Sequence, residues 1–344
     1  MFFTSPWVRG SEGPMRTSHI LQLLLFCLAA MFLLASASSR EASPWLSWQS
    51  SQQIDHPLAG KIWSVRGNSF VTPQMLGETA RAARFVLIGE VHDNRDHHRL
   101  QAWLIEKAAT NRKPAVVMEM IARDKAPALR AYLARPGANA AGLGAALEWQ
   151  ARGWPEWRFY QPIAEAALRL GLPLHAGDID RSLLRKISKQ GLDTLDAERR
   201  KSLFLDRPLD VPLHNALLDE LYGSHCELVP RSALGAMLKI QRLRDAVLAD
   251  SLIEAAGGGS AILIAGNGHV RADRAVPWYV SRRAPQARIV TVMLLEVDGA
   301  AKEPEDLMPA GPVGEPIADY VWFTPRAERE DPCAKLRERF AKPR

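Results

Sequence analysis

The chain has 344 residues, of which 47% are hydrophobic and 24% charged, a composition typical of a globular protein with a sizeable core. It excludes a disordered, collagen-like or polytopic membrane protein, and no repeat of solenoid or propeller length is present. The 44 Lys and Arg against 38 Asp and Glu give a net charge of +6. Because this small excess is spread along the chain, we expect no nucleic-acid partner.

The N-terminal segment predicts export. Residues 20–34 are apolar except for Gln22, follow Arg16 and lead into a small-x-small pattern that ends at Ala37. This run of 15 residues is shorter than the roughly 20 that a membrane-spanning helix needs. We therefore interpret residues 1–37 as a cleaved signal peptide and expect a periplasmic or envelope-associated protein.

Attachment of a lipid at Cys27 is not expected, because the bulky Phe26 precedes this cysteine and further apolar residues follow it. Translation starts at Met1 or at Met15, and the second start gives the more compact signal. Residues 38–59 then form an N-terminal linker ahead of the folded domain.

Short apolar runs along the rest of the chain predict β-strands. The first four are apolar almost throughout, which is typical of strands covered on both faces. Helical patterns separate the runs, so we predict an α/β fold with a mostly parallel central sheet, helices on both faces and a helical insertion subdomain. The runs are residues 85–88, 115–118, 172–176, 261–265, 288–295 and 320–323.

Two long stretches between these runs predict helical insertions in an α/β domain at residues 60–325. The first stretch, at about 123–168, is rich in alanine and contains an aromatic cluster. The second, at about 181–256, is too long for a plain crossover and predicts a helical subdomain over one edge of the sheet. The aromatic cluster consists of Trp149, Trp154, Trp157, Phe159 and Tyr160.

Two cysteines, Cys226 and Cys333, lie in the predicted mature chain. An oxidising compartment allows them to pair, and a disulfide would tie the C-terminal tail, residues 326–344, to the body of the protein. The alternative is two independent thiols.

A G-x-x-H pattern follows the first and the fourth runs, where it supplies His92 and His269. Glu90 lies inside the first copy, and Glu119 ends the second run. Ligands bind outside the carboxyl ends of the strands in an open parallel sheet, and glycine lets the backbone turn sharply there. We therefore expect these four side chains to converge on one pocket.

Two histidines and two carboxylates suit a divalent metal held by His92, His269 and Glu90, an acid–base pair, or a polar wall around a larger cofactor. Alternatively, each is a hydrogen-bonded group that closes a strand end. We favour a functional role for the set, because burying several titratable groups at one sheet edge lowers stability unless a role compensates.

Four other residues are candidates for contacts with a cofactor. Tyr160 could bind ferric haem iron, although core packing also accounts for it. His97 shares the inward face of the helix after the first run, where it could also be a capping or core residue. Arg271 and Arg274 follow a strand end and could meet a carboxylate such as a propionate; alternatively, they lie on a solvated face.

At these residues the chain resembles the ChaN-like haem-binding uptake proteins of the Tiki superfamily. The resemblance covers residues 60–325 or so and is most specific at 86–94 and 264–271. The segments that carry it are 86–98, 117–120, 157–163, 241–246 and 264–277.

This resemblance implies an exported haem-binding protein of iron acquisition, with a homodimer that shelters haem and a haem-transport partner in the outer membrane or envelope. In the wider superfamily, Tiki peptidases and erythromycin-esterase-like enzymes use the G-x-x-H pair with glutamates for hydrolysis. Those roles correspond here to His92, His269, Glu90 and Glu119.

Two hypotheses follow. In the first, the protein binds haem through Tyr160 or a histidine such as His97, while Arg271 and Arg274 meet the propionates. In the second, it is a metal-dependent peptidase or esterase. In that case His92 and His269 hold a divalent ion while Glu90 or Glu119 activates water. Whether the protein is an enzyme stays open at this point.

Overall fold

The apolar runs of the sequence form one eight-stranded sheet in a computed structural model, which describes residues 1–2, 43–309, 311 and 316–341. All six predicted strands are confirmed, most of them extended by one to four residues. The two additional strands, β1 and β2, have three residues each, too few for a visible pattern. The strands are β1 Ile62–Ser64, β2 Ser69–Val71, β3 Phe85–Glu90, β4 Ala115–Ala122, β5 Leu174–Asp178, β6 Ala261–Gly266, β7 Ile289–Glu296 and β8 Tyr320–Thr324.

The strand order is β2-β1-β8-β7-β3-β6-β4-β5. Strands β3 to β8 pair in parallel, and β1 pairs antiparallel with β2 and β8. From β3 the chain continues to β4 on one side, and from β6 it continues to β7 on the other side. The strand order therefore reverses between β3 and β6, where open α/β sheets bind their ligands. Register places Glu90 opposite Gly266 at this edge.

Thirteen α-helices occur within the described residues. In chain order they are α1 Pro73–Ala82, α2 Arg95–Ala108, α3 Ala126–Leu133, α4 Ala140–Ala146, α5 Trp157–Arg169, α6 Arg181–Gln190, α7 Ala197–Ser202, α8 Val211–Ser224, α9 Gly235–Ala256, α10 Asn267–Val270, α11 Val276–Arg283, α12 Pro304–Leu307 and α13 Pro332–Ala341.

Helices cover both faces of the sheet, as predicted. Phe85 and Leu87 of β3 belong to the core that also contains the buried face of α9. Successive side chains of a strand point to opposite faces, so Val86 faces α2 instead. On that side, Trp103 of α2 packs edge-on against Trp322 of β8, with 5.7 Å between the ring centroids.

Helices fill both predicted insertion stretches. Between β4 and β5 the chain forms α3, α4 and α5, and between β5 and β6 it forms α6 to α9. The last helix of each stretch returns the chain to the sheet side: α5 packs on α2, and α9 packs on β4, β5 and β6.

The segment assigned to a linker is bound to the domain from residue 47 onward, where Arg99 donates to the backbone carbonyl and the hydroxyl of Ser47. The backbone N–H groups of Gln49 and Ser50 donate to the carboxylate of Asp96 at 2.8 to 3.0 Å. Gln52 forms a β-bridge with Arg326 at the start of the C-terminal tail.

The chain divides into two units, Met1–Leu46 and Ser47–Arg344. Within the described residues, the first unit contains a 3-10 turn at Pro44–Leu46. Apart from residues 1–2, the predicted signal peptide, with Met15 and Cys27, lies outside the described part of the chain. None of the helices that the structure describes combines the length and apolarity needed to cross a membrane.

A disulfide joins Cys226 to Cys333, with 2.00 Å between the sulfur atoms. The structure thus confirms the hypothesis that the two cysteines pair. The bond fastens the final helix, α13, to the chain just after α8 in the second insertion.

We predict that replacing both cysteines by serine lowers the free energy of unfolding by about 2–5 kcal/mol, because the bond restricts the unfolded chain. The bond closes a sequence separation of 107 residues. Urea unfolding with and without reductant measures the effect: reductant should lower the wild-type midpoint to that of the variant and leave the variant unchanged. If reductant does not change the wild-type midpoint in samples that have been unfolded and refolded with it, the predicted contribution of the disulfide is wrong.

Candidate functional site

The carboxyl ends of β3, β4 and β6 bring the predicted side chains together. Glu119 accepts a hydrogen bond from the backbone N–H of Gly266 at 2.7 Å. A Cβ atom placed on Gly266 would lie 2.9 Å from Nε2 of His92 and 3.7 Å from Oε2 of Glu119. His269 Nε2 lies 3.4 Å from Oε1 of the same carboxylate. The two histidines therefore meet on either side of Glu119, and glycine at 266 leaves the room for this.

His92 presents an accessible imidazole. Its Nδ1 lies 2.7 Å from Oε1 of Glu90, and a carboxylate only accepts, so in the neutral ring Nδ1 carries the proton and Nε2 has the lone pair. No hydrogen bond among the described residues engages Nε2. The His92 side chain is 35% exposed, whereas that of Glu90 is fully buried. Burial alone would lower the pKa of His92, but the hydrogen bond to Glu90 and the charge of Glu119 raise it.

Glu90 is held as a buried anion by two histidines. Burial alone would raise the pKa of Glu90, but His98 and His92 hold it well below its usual range. His98 is fully buried: its Nδ1 lies 3.1 Å from Glu90 Oε2, and its Nε2 lies 3.1 Å from the carbonyl oxygen of His92. A carboxylate on one ring nitrogen fixes the tautomer and orientation of an imidazole, so Glu90 positions His92.

His269 lies between two carboxylates. Its Nδ1 is 2.6 Å from Asp245 Oδ1, and its Nε2 faces Glu119. Burial alone would lower the pKa of His269, but Glu119 and Asp245 together raise it to about 10, against the opposing charge of Arg244. Burial raises the pKa of Asp245 as well, against the charge of His269. The pair therefore retains its proton, and His269 is an imidazolium at neutral pH.

Glu119 is the anionic partner of the His269 imidazolium. Arg244 of α9 donates to Glu119 Oε1 at 2.7 Å and to Asp178 at 2.7 to 3.3 Å. Burial alone would raise the pKa of Glu119, but His269 and Arg244 hold it well below its usual range. The edge of the sheet thus carries ionised carboxylates and a protonated histidine within hydrogen-bond distance.

These contacts do not form the predicted divalent-metal site of His92, His269 and Glu90. His269 bonds Asp245 through Nδ1 and faces Glu119 through Nε2, and Glu90 lies between His92 and His98. Among the described residues, no three His, Cys, Asp or Glu side chains are placed to hold an ion.

Tyr160 lies in the interior of the site. Its side chain is buried, and its hydroxyl donates to the carbonyl oxygen of His92 at 3.1 Å. Its ring packs on Trp149 and His98, with centroid distances of 4.9 and 4.1 Å. Burial, together with the charges of Glu90 and Glu119, raises the pKa of Tyr160, so the phenol keeps its proton. In this structure Tyr160 supports the His92 loop.

The aromatic cluster around Tyr160 is largely packed into its own insertion. Trp149 and Trp157 pack edge-on, with 4.7 Å between the ring centroids, and both donate their indole N–H groups to backbone carbonyls. The guanidinium of Arg95 lies over the ring of Phe159, 4.4 Å from the ring centroid. Trp154 differs, because it is half-buried and its ring lies 5.0 Å from that of His92.

His97 belongs to the core. The backbone N–H of Val91 donates to its Nδ1 at 2.8 Å, so its Nε2 carries the proton and donates to Thr324 Oγ1 at 2.8 Å. Burial lowers the pKa of His97 to about 3. With both nitrogens bonded inside the protein, the neutral His97 fastens the loop after β3 to β8 and does not reach the accessible rim.

Arg271 and Arg274, which follow His269 in the chain, are buried and do not lie on a solvated face. Arg271 donates to both oxygens of Asp273, at 3.0 and 2.7 Å. Arg274 donates through Nη2 to Glu220 of α8.

Comparison with known families bears on these observations. The sequence profile described as haem-binding uptake, Tiki superfamily, ChaN, matches residues 76–280, more than half of the chain. The chain belongs to this family.

Solved structures support the fold of this ChaN-family protein. ChaN of Campylobacter jejuni, described as binding haem cofacially, superposes with a TM-score of 0.58 at 18% identity, over 76% of this chain and 95% of that one. The type III effector HopBA1 gives 0.44 at 15%, over 73% and 91%. A mutant of the erythromycin esterase EreC gives 0.37 at 14%, over 78% and 81%. The last two are too distant to inform function. No curated protein matches significantly.

Sequence reasoning missed three residues of the site in this ChaN-family protein: His98, Arg244 and Asp245. The segment 241–246 belongs to the resemblance, but nothing in its pattern assigns a partner to its charges. The available signal was two charged residues, Arg244 and Asp245, inside the long helical pattern whose other residues pack on the sheet.

We predict that Glu119→Gln lowers the free energy of unfolding by about 3–5 kcal/mol, because it removes the buried charge that Arg244 and His269 face. Urea unfolding at pH 7 measures the loss. The matched control is Glu254→Gln, which removes one of the two carboxylate partners of Arg123, at a side chain that is 62% exposed. That variant should lose at most about 1 kcal/mol. Equal losses in both variants would contradict the assigned role of Glu119.

We also predict a pH dependence from His269. The folded protein raises the pKa of His269 from 6.5 to about 10, so the resulting stability is fully present below pH 6.5 and is lost as the pH rises through 10. The measurement is the difference in unfolding free energy between wild type and His269→Asn at several pH values. This difference should be constant below pH 6.5 and shrink towards pH 10. A difference that grows across this window would refute the imidazolium.

Proposed function

We propose that this protein is an exported haem-binding protein of haem and iron uptake, and that His92 presents Nε2 to the haem iron. Membership of the haem-binding uptake family carries the proposal. The residues fit the group: the Nε2 lone pair is unengaged within the described chain, and the ring is accessible and oriented by Glu90. Histidine is a frequent haem ligand, and iron-binding histidines usually donate their other nitrogen to a carboxylate.

The surroundings of His92 support the same proposal. Trp154 offers a half-buried aromatic surface beside the imidazole, and apolar, aromatic walls are typical of cofactor sites. Tyr160 and His97, the haem ligands considered from the sequence, are buried and bonded inside the protein. We therefore assign the contact with iron to His92. Tyr160 and His97 hold the loop that carries His92 in place.

Export and assembly belong to the proposal as well. The apolar segment at 20–34 supports export to the periplasm or envelope, and the disulfide is of a kind that persists in oxidising compartments. The Campylobacter jejuni relative binds haem cofacially, which supports a homodimer around haem here. An envelope haem-transport partner would then receive the cargo.

Hemin titration tests the haem site. Wild type should give a saturable Soret shift, and His92→Ala should weaken binding at least about tenfold, the equivalent of one interaction of about 1.4 kcal/mol. Because iron binds only the deprotonated Nε2 and the pKa of His92 is raised, affinity should increase with pH above 6.5.

The control is His214→Ala, which changes an exposed histidine of α8. This variant should bind hemin like wild type. Absence of a saturable shift in wild type, or an unchanged affinity in His92→Ala, would refute the proposal.

A hydrolase is the second candidate, favoured by the acid–base pair at the rim: His92 with a lone pair and His269 as an imidazolium. Glu90 contacts His92 and His98, and Glu119 contacts Arg244 and His269, so His92, not a glutamate, would take the proton of water. Ester and peptide turnover that His92→Ala abolishes and chelator leaves intact would support this candidate. Turnover no faster than in buffer would exclude it for those substrates.

A further inference from the structure

Arg274 is a buried cation with unmet donors. Its side chain is 1% exposed, and Nη2 donates to Glu220, whereas Nε and Nη1 are buried and have no hydrogen-bond partner among the residues that the structure describes. Buried charged donors that lack partners lower stability substantially. Two such donors on one guanidinium indicate a binding site for a ligand.

Glu220, the group that meets Arg274, is the most exposed member of this contact. Its side chain is 38% exposed and belongs to α8, a helix with one fully buried residue, Leu217. A Cβ atom placed on Gly268 would lie 3.2 Å from Oε1 of Glu220, so the missing side chain at 268 gives the carboxylate its space. A solvent-accessible carboxylate on a lightly packed helix can be replaced by another carboxylate.

Arg271 adds a second positive charge to this place. Its Nη1 lies 3.7 Å from the same Glu220 oxygen, while its Nε and Nη2 hold Asp273. The place adjoins the site already described, because Arg274 lies near enough to Asp245 for its charge to act on that carboxyl. Asp245 in turn bonds His269.

We propose that Arg274, with Arg271 beside it, is a carboxylate-binding subsite that Glu220 fills when no ligand is present. A carboxylate that binds the guanidinium side-on satisfies two donors, whereas Glu220 satisfies one. The ligand carboxylate is a haem propionate, an assignment that rests on the proposed function. Entry of the ligand displaces Glu220 and frees α8 from this contact.

Hemin and its dimethyl ester, which lacks the propionate charges, test the subsite together. Glu220→Gln removes the competing charge from a side chain that is 38% exposed and keeps a carbonyl oxygen that can still accept from Arg274. This variant should bind hemin about tenfold more tightly than wild type, the value of one charged hydrogen bond, and bind the ester unchanged. Arg274→Gln should weaken the binding of hemin by a similar factor and leave the binding of the ester unchanged. The matched control is Asp219→Asn, the neighbouring exposed carboxylate of α8 that pairs with Arg231, which should change neither ligand.

Succinate provides an arm that does not depend on haem. It should raise the midpoint of thermal unfolding more in Glu220→Gln than in wild type, and not at all in Arg274→Gln. If wild type fails to bind hemin, the proposed function fails while succinate still decides the subsite. If succinate acts as expected but Glu220→Gln changes hemin and ester equally, the propionate assignment is overturned. If hemin binds, but neither Glu220→Gln nor succinate has the expected effect, the subsite is overturned.

Discussion

A single ionised carboxylate, Glu119, joins the segments that make the site. It accepts hydrogen bonds from the Gly266 N–H at the end of β6 and from Arg244 of α9, faces His269, and lies beside His92 from the loop after β3. In the protein interior such contacts are strong when complete and destabilising when a partner is lost. The histidine loops are therefore held by charge as well as by backbone geometry, and the protonation of each imidazole follows from its carboxylate neighbours.

The C-terminal tail also holds the His92 loop, although it lies outside the segment that the family profile matches. Arg329 donates to both oxygens of Asp93, next to His92, at 2.8 and 2.7 Å, and also to Glu296 of β7. Four positions later, Cys333 is bonded to Cys226 beside the second insertion. The loop that offers His92 is thus fastened from one side by the tail, and the tail is fastened covalently to the insertion that carries Glu220.

The sheet and the convergence of the site could be predicted from sequence because both follow from local pattern. Apolar runs mark buried strands, and the strand ends of a parallel sheet place His92 and His269 at one edge. The protonation and burial of those residues could not be predicted, because spacing does not reveal which nitrogen finds a carboxylate. Tyr160 illustrates this limit: its position suits an iron ligand, yet packing against His98 turns its hydroxyl to a backbone carbonyl. Asp245 acts on the site across 24 residues of sequence, through helix packing that no local pattern contains.

The most direct test of the account is a measurement of imidazole nitrogen chemical shifts by NMR at pH 8 in uniformly ¹⁵N-labelled protein, with His269→Asn and His97→Asn providing the assignments. His269 should have both nitrogens protonated, because its pKa of about 10 lies above this pH. His97 should be neutral, with the proton on Nε2. A neutral His269 at pH 8 would show that the carboxylates do not set the charge of the site, and the proposed organisation around Glu119 would be contradicted.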